Sequence, residues 1–159
     1  MLDKLDALGV TVSAPPPPPA PLGVQRQDVT IPQQGGSLQA RVYAPQPATG
    51  PYPAVSLLSG GGAPIDSVDW AADGLARAGD VVIITQPASG GSLSAYNTAA
   101  RSGIDFLLSS ANPFAAATRP TGVGVAGWSL GARAVAHAGG RHAGGCAGGL
   151  GQPGGQRDR

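Results

Sequence analysis

The sequence contains no glutamate, a single lysine and a single cysteine. Charged residues make up 12% of the chain, about half the usual share, and the net charge is +1. This balanced charge, without any stretch rich in lysine and arginine, argues against a dedicated nucleic-acid-binding protein. The lone Cys146 excludes an internal disulfide framework and a multi-cysteine metal site. We therefore expect no nucleic-acid partner, and we predict neither a metal nor another cofactor.

Long apolar runs are also missing. No run reaches the roughly 18–20 residues that a membrane helix needs, so we expect no membrane association. The N-terminus carries two aspartates and one lysine among its first six residues, so it lacks the basic start and clean apolar stretch of a secretory signal. We expect a cytoplasmic protein, and secretion stays open if translation starts elsewhere.

Glycine and proline, by contrast, are abundant, with 26 and 16 of the 159 residues, a length that suits one domain. Prolines concentrate in residues 1–23, where five in a row at 15–19 predict an extended, disordered arm. Glycines concentrate in residues 139–159, where Leu150 is the only bulky aliphatic residue, so this tail buries too little apolar surface to fold. Residues 24–138 carry the pattern of a folded domain.

Within that domain, two alternating runs separated by turn residues predict an antiparallel hairpin of strands 24–31 and 37–43. Continuous apolar runs then alternate with stretches of helical periodicity. They predict buried strands at 54–58, 81–85 and 122–126 and helices at 67–78, 96–108 and 130–138. We predict Ser67 as the N-cap of the first helix and Gly79 as its end. The pattern predicts an α/β fold with helices on both faces of a mostly parallel sheet, begun by a hairpin.

The motif that carries chemistry is G-x-S-x-G, formed by Gly127, Trp128, Ser129, Leu130 and Gly131. It lies between a short apolar strand and a helix, which predicts a nucleophile elbow: a sharp turn that strains the serine backbone and exposes its hydroxyl. The two glycines are needed because side chains there would collide with the neighbouring strand and helix. The turn also puts the serine at a helix N-terminus, whose N–H groups favour developing negative charge.

Three glycines, Gly60, Gly61 and Gly62, follow the predicted third strand. Ester hydrolysis passes through an oxyanion that needs two preorganised N–H donors. We predict the N–H of Leu130 as one donor and an N–H of the glycine run as the other, because both loops lie at the carboxyl ends of neighbouring strands. The glycine run is no phosphate-binding loop, since no Lys-Ser or Lys-Thr pair follows it.

Residues 24 to about 138 resemble the N-terminal half of an α/β-hydrolase, and within that superfamily the group of dienelactone hydrolases, chlorophyllases and cutinase-like polyester hydrolases. The stretches that carry this resemblance are YPAVSLLSGGG, DWAADGLARAGDVVIITQP, AARSGIDFLLSS and TGVGVAGWSLGARAVAHA. The resemblance implies a serine hydrolase acting on small-molecule carboxylic esters. It implies Ser129 as the nucleophile and the N–H groups of Leu130 and of Gly61 (or Gly60) as the oxyanion hole.

The chain departs from the family pattern in several places. Gln86 stands where an acidic residue often ends the fourth strand, and Gly61 stands where the polyester hydrolases often carry an aromatic. The family takes its catalytic acid and histidine from loops after the seventh and eighth strands, and this sequence ends before the sixth. His137 lies eight residues after Ser129, about 12 Å along one helix, too far for a base that must sit within roughly 3 Å. His142 lies in the glycine-rich tail, where no sequence pattern predicts that it is oriented as a base for Ser129.

We therefore expect the chain to be inactive as it stands, and a shifted reading frame or truncation to explain the tail. The competing interpretation is a non-catalytic protein that binds through the proline-rich arm or through the exposed edge of the last strand, where self-association is expected.

We assign Ser94 and Tyr96 to helix capping and packing rather than to substrate contact. Trp70 and Trp128 are assigned to packing, and Trp128 also suits the lining of an acyl pocket.

Overall fold

The structure is a computed structural model that describes residues 20–33, 36–87 and 91–139, with side chains to residue 136. Most of the predicted arm and nearly all of the predicted tail lie outside the described residues. Leu22 donates its N–H to the Arg77 carbonyl at 3.0 Å, and the first strand begins at Gly23, the last residue of the predicted arm. The last described helix ends at Gly139, the first residue of the predicted tail.

Five strands and three α-helices make up the described part of the chain. The strands are β1 (Gly23–Gln33), β2 (Gly36–Gln46), β3 (Ala54–Leu58), β4 (Val81–Thr85) and β5 (Gly124–Gly127). The helices are α1 (Asp69–Ala78), α2 (Leu93–Leu107) and α3 (Leu130–Gly139), and short 3-10 turns cover Ile65–Val68 and Ala115–Ala117. Each of the predicted strands and helices overlaps one of these elements.

The strands form one mixed sheet in the order β1-β2-β4-β3-β5. β1 and β2 pair antiparallel, as the predicted hairpin, and β2 also runs antiparallel to β4. β3 pairs parallel with both β4 and β5. The fold is thus mixed α/β, and the described sheet is only half parallel because two of its four strand pairings are antiparallel.

Helices cover both faces of this sheet, and side chains of the central strand β4 pack into two hydrophobic cores, one on each face. Its side chains alternate between the faces, as strand geometry requires. Val81 and Ile83 pack in the core with α2 and α3, whereas Val82 and Ile84 pack in the core with α1. Every residue of β4 is buried, which is why its sequence is an unbroken apolar run rather than an alternating one.

The start of α1 differs from the prediction. Ser67 is not the N-cap: its Oγ donates to the Pro64 carbonyl at 2.7 Å within a 3-10 turn, and α1 begins at Asp69 without a side-chain cap. The hydroxyl therefore closes the turn before the helix instead of satisfying a helical N–H. The end of α1 is as predicted, because Gly79 adopts φ +105° there.

Helix α2 approaches the sheet closely at Gly103. A Cβ added there would lie 2.7 Å from Ser56 Oγ and 3.1 Å from a methyl of Thr85. Both strand hydroxyls are buried, and they donate to α2 carbonyls, Ser56 to Ala100 at 3.2 Å and Thr85 to Ala99 at 3.3 Å. The close approach thus satisfies two buried polar groups, and it requires a residue without a side chain.

Substituting Gly103 by alanine should therefore lower the free energy of unfolding by about 1–3 kcal/mol, because the added methyl pushes α2 off the sheet. Gly74 is the matched control, since it lies on the exposed face of α1 with no atom within 4 Å of an added Cβ. Gly74→Ala should raise the free energy of unfolding by about 0.5–1 kcal/mol, the helix preference of alanine over glycine. Urea unfolding measures both, and equal stability of the two variants would contradict the close approach.

A charge cluster fastens the hairpin to the α1 side of the fold. The largely buried Arg41 on β2 donates to the exposed Asp28 on β1, and it also bonds Asp66 at 2.6 Å and Asp69 at 2.9 Å. The hydrogen bond from Arg41 holds the pKa of Asp28 below its usual value. The carboxylate of Asp28 is therefore favoured in the folded state.

This cluster predicts a pH-dependent contribution to stability. Because the folded pKa of Asp28 is lowered, its contribution is present above the unfolded value of 3.8 and is lost as pH falls through the folded value. Asp28→Asn should lower the free energy of unfolding near neutral pH by at most about 1 kcal/mol, since the carboxylate is exposed, and the difference should vanish in acid. Asp105→Asn, which removes an exposed carboxylate of α2, is the control. A difference for Asp28→Asn that does not change with pH would refute the assignment.

Candidate active site

The turn from β5 into α3 is short and strained. β5 ends at Gly127 and α3 begins at Leu130, so Trp128 and Ser129 alone make the turn. Ser129 has φ +54° and is the only non-glycine residue with positive φ in the described part of the chain. This conformation costs a residue with a Cβ roughly 1–2 kcal/mol, so the surrounding contacts must enforce it. Ser129 is also exposed, and the geometry is the one that the motif predicts.

Contacts at the two motif glycines enforce the turn. A Cβ on Gly127 would overlap the backbone of Gly131, and a Cβ on Gly131 would lie 2.7 Å from the carbonyl oxygens of Leu58 and Ser59. The N–H of Trp128 donates to the Leu58 carbonyl at 3.1 Å. The elbow is therefore held against the carboxyl end of β3, with no room for a side chain at either glycine.

The glycine loop after β3 lies directly beside the elbow. A Cβ on Gly60 would be 2.9 Å from the ring of Trp128 and 3.3 Å from the Cβ of Ser129. A Cβ on Gly61 would be 3.1 Å from a methyl of Leu130. The structure thus brings together the residues that the sequence assigned to the nucleophile and to the oxyanion hole.

The glycine loop is a tight turn that is fastened from two sides. The Ala63 N–H donates to the Gly60 carbonyl at 3.2 Å, and Gly62 adopts φ +69°, which only glycine takes readily. The same carbonyl accepts a hydrogen bond of 2.6 Å from the buried hydroxyl of Tyr96 on α2. Sequence reasoning missed this contact, since it assigned Tyr96 to packing and no local pattern links residues 36 positions apart.

Backbone N–H groups without an acceptor among the described residues occur on both sides of the serine. Within residues 20–33, 36–87 and 91–139, no acceptor bonds the N–H of Gly61 or of Leu130. For Leu130 the reason is general, because the first N–H groups of a helix have no partner within it. A tetrahedral oxyanion requires preorganised N–H donors, so these groups are the candidates for that role.

The two tryptophans are more exposed than predicted. Trp70 is 74% exposed on α1, so its assignment to packing is wrong. Trp128 is 52% exposed and covers the Gly60 backbone, so it borders the elbow rather than filling the core. An aromatic surface beside Ser129 suits contact with an apolar part of a ligand.

No histidine occurs among the side chains that the structure describes. The backbone places His137 on α3, eight residues after Ser129 and about 12 Å along the helix axis, while His142 lies outside the described residues. Burial raises the pKa of the Asp80 carboxyl, but Asp80 precedes β4 and so lies at the opposite end of the parallel strands from the elbow. The residue that follows the carboxyl end of β4 is Gln86, an amide.

The described residues contain neither a candidate metal site nor a candidate membrane-spanning helix. They hold no group of three or more histidine, cysteine, aspartate or glutamate side chains placed to bind a metal ion. None of the helices that the structure describes has the length and apolarity needed to cross a bilayer.

Comparison of the chain with models of known protein families, and with curated proteins, found no match. Function is therefore inferred from the elbow, which the G-x-S-x-G motif forms, and from the glycine loop beside it.

The strain at Ser129 predicts a difference between two substitutions. Ser129→Gly should be more stable than Ser129→Ala by about 1 kcal/mol, because glycine takes positive φ without steric cost whereas alanine keeps the Cβ. Neither variant has the hydroxyl, so the comparison isolates the backbone. Thermal and urea unfolding of the two proteins measure the difference. Equal stabilities, or a more stable alanine variant, would show that the turn is not strained.

Proposed function

We propose that this chain has an α/β-hydrolase fold and carries the nucleophile and oxyanion hole of a serine hydrolase for small carboxylic esters. The observation that carries the proposal is the exposed, positive-φ Ser129 held against the glycine loop at the carboxyl end of β3. A turn with this strain and this close packing is costly, and such strain concentrates at functional sites. The antiparallel hairpin, the parallel strands and the helices on both faces agree with this fold.

The chemistry follows from these groups. Ser129 Oγ attacks the ester carbonyl carbon and gives up its proton to a base. The resulting oxyanion accepts hydrogen bonds from the N–H groups of Leu130 and of Gly61 (or Gly60). The oxyanion re-forms the carbonyl, the carbon–oxygen bond to the alcohol breaks, and the alcohol leaves with the proton from the base. Water then gives a proton to the base and attacks the acyl group on the serine, the acid is released, and the serine oxygen regains a proton.

The base is the component that the described side chains do not supply. A serine hydroxyl is a weak nucleophile without an adjacent base, so we expect slow reaction at neutral pH. An added base that diffuses into the exposed site should raise the rate. Imidazole is suitable, because it has the chemistry of the histidine side chain that serves most often as a general base.

A fluorophosphonate probe tests the proposal. Its phosphorus bonds to Ser129 Oγ, the phosphorus–fluorine bond breaks, fluoride leaves and the hydroxyl proton passes to imidazole. We expect labelling of Ser129, located by peptide mass spectrometry, to be slow without imidazole and at least about tenfold faster with it. Labelling at this peptide should disappear in Ser129→Ala.

Ser67→Ala is the matched control, since it removes another serine hydroxyl, one that donates to the Pro64 carbonyl away from the elbow. It should be labelled like the unchanged protein. If Ser129 stays unlabelled even with imidazole, or if Ser129→Ala is labelled equally, the elbow is not a nucleophilic site.

The second candidate function is binding through the edge of β5 that pairs with no other described strand. β5 is the last strand of the described sheet, its Val125 is exposed, and none of its four residues is charged. An uncharged edge favours pairing with another strand, as in association of two copies of this chain. This function needs no reactive serine, so the probe experiment distinguishes it from the first.

A further inference from the structure

We propose that Tyr96 is a positioning residue for the oxyanion hole: its hydroxyl fixes the peptide between Gly60 and Gly61 so that the Gly61 N–H faces the elbow. The catalytic meaning of this role rests on the proposed function. The geometry that suggests it is independent of any reaction, because it consists of one buried hydrogen bond between α2 and the glycine loop.

The start of α2 places the tyrosine. Ser92 Oγ accepts a hydrogen bond from the Ala95 N–H at 3.1 Å and caps the helix, which begins at Leu93, three residues earlier than predicted. Tyr96 therefore lies in the first turn of α2, where it is 1% exposed. Its hydroxyl donates to the Gly60 carbonyl at 2.6 Å, a short bond between elements far apart in sequence.

Because the peptide group is planar, the hydrogen bond to the Gly60 carbonyl also sets the direction of the Gly61 N–H. The bond from Gly60 to Gly61 is trans, so its carbonyl and its N–H point in opposite directions. A donor that holds the carbonyl on the α2 side turns the N–H away from α2. Three successive glycines impose little backbone preference of their own, so the orientation depends on the two donors to the Gly60 carbonyl, the Ala63 N–H at 3.2 Å and the shorter bond from Tyr96 at 2.6 Å.

The hydroxyl is suited to remain a donor. Burial raises the pKa of Tyr96, and the nearby N–H of Gly62 offsets part of that rise. The phenol is therefore protonated at neutral pH. A phenylalanine would fill the same apolar space beside Ala99 and Ala100, so packing alone does not require the oxygen.

Tyr96→Phe tests the role, and Tyr52→Phe is the matched control. The Tyr52 hydroxyl also donates to a backbone carbonyl, that of Pro47 at 3.2 Å, but Tyr52 precedes β3 and so lies at the opposite end of that strand from the glycine loop. We expect Tyr96→Phe to slow fluorophosphonate labelling of Ser129 in imidazole by about tenfold, a fraction of the loss when an oxyanion donor is removed. Its melting temperature should stay within about 5 °C of the unchanged protein, and Tyr52→Phe should label normally.

A second measurement does not depend on reactivity. In protein labelled with ¹⁵N-glycine, the NMR order parameter of the Gly61 amide should fall from about 0.85 to below about 0.6 in Tyr96→Phe, and it should not change in Tyr52→Phe. An unchanged order parameter, or a normal labelling rate in Tyr96→Phe, overturns the positioning role. If the unchanged protein is not labelled at all, the proposed function fails, and the order parameter alone decides whether Tyr96 orients the loop.

Discussion

The contact between the carboxyl end of β3 and the elbow is the constraint on which the site depends. The carbonyls of Leu58 and Ser59 lie where a side chain of Gly131 would be, and the Leu58 carbonyl also accepts the N–H of Trp128. This approach leaves Ser129 in a conformation that an L-residue avoids, with its side chain exposed. The parallel pairing of β3 with β5 makes the approach possible, because it brings both strands to an end at the same edge of the sheet.

The chemistry that we propose follows from this meeting of the carboxyl ends of β3 and β5. Of the two N–H donors that we propose, one comes from the first turn of α3 and the other from the loop that continues β3, so a single pair of parallel strands positions both. Tyr96 on α2 extends the same arrangement to a third element, since it holds the carbonyl on the far side of the Gly60–Gly61 peptide. The glycine loop thus also depends on α2, which packs on the same face of the sheet as α3.

Much of this was predictable from local sequence. Unbroken apolar runs predicted β3 and β4, and the spacing of Gly127, Ser129 and Gly131 predicted the elbow. Each of these patterns depends only on the local backbone structure, so a single sequence is enough to find it. The N-cap of α1 was predicted wrongly because a competing local interaction exists. Serine is a residue type that often caps helices, but the Ser67 hydroxyl bonds the Pro64 carbonyl instead. The bond from Tyr96 to Gly60 was not predictable, since it depends on how α2 lies across the sheet.

A crystal structure of the chain after reaction with a fluorophosphonate in the presence of imidazole tests the proposed site most directly. We expect phosphorus bonded to Ser129 Oγ, with its phosphoryl oxygen about 2.7–3.1 Å from the N–H nitrogens of Leu130 and Gly61. An adduct whose phosphoryl oxygen points into solvent would contradict the oxyanion hole. The absence of any adduct at Ser129 would contradict the nucleophile itself.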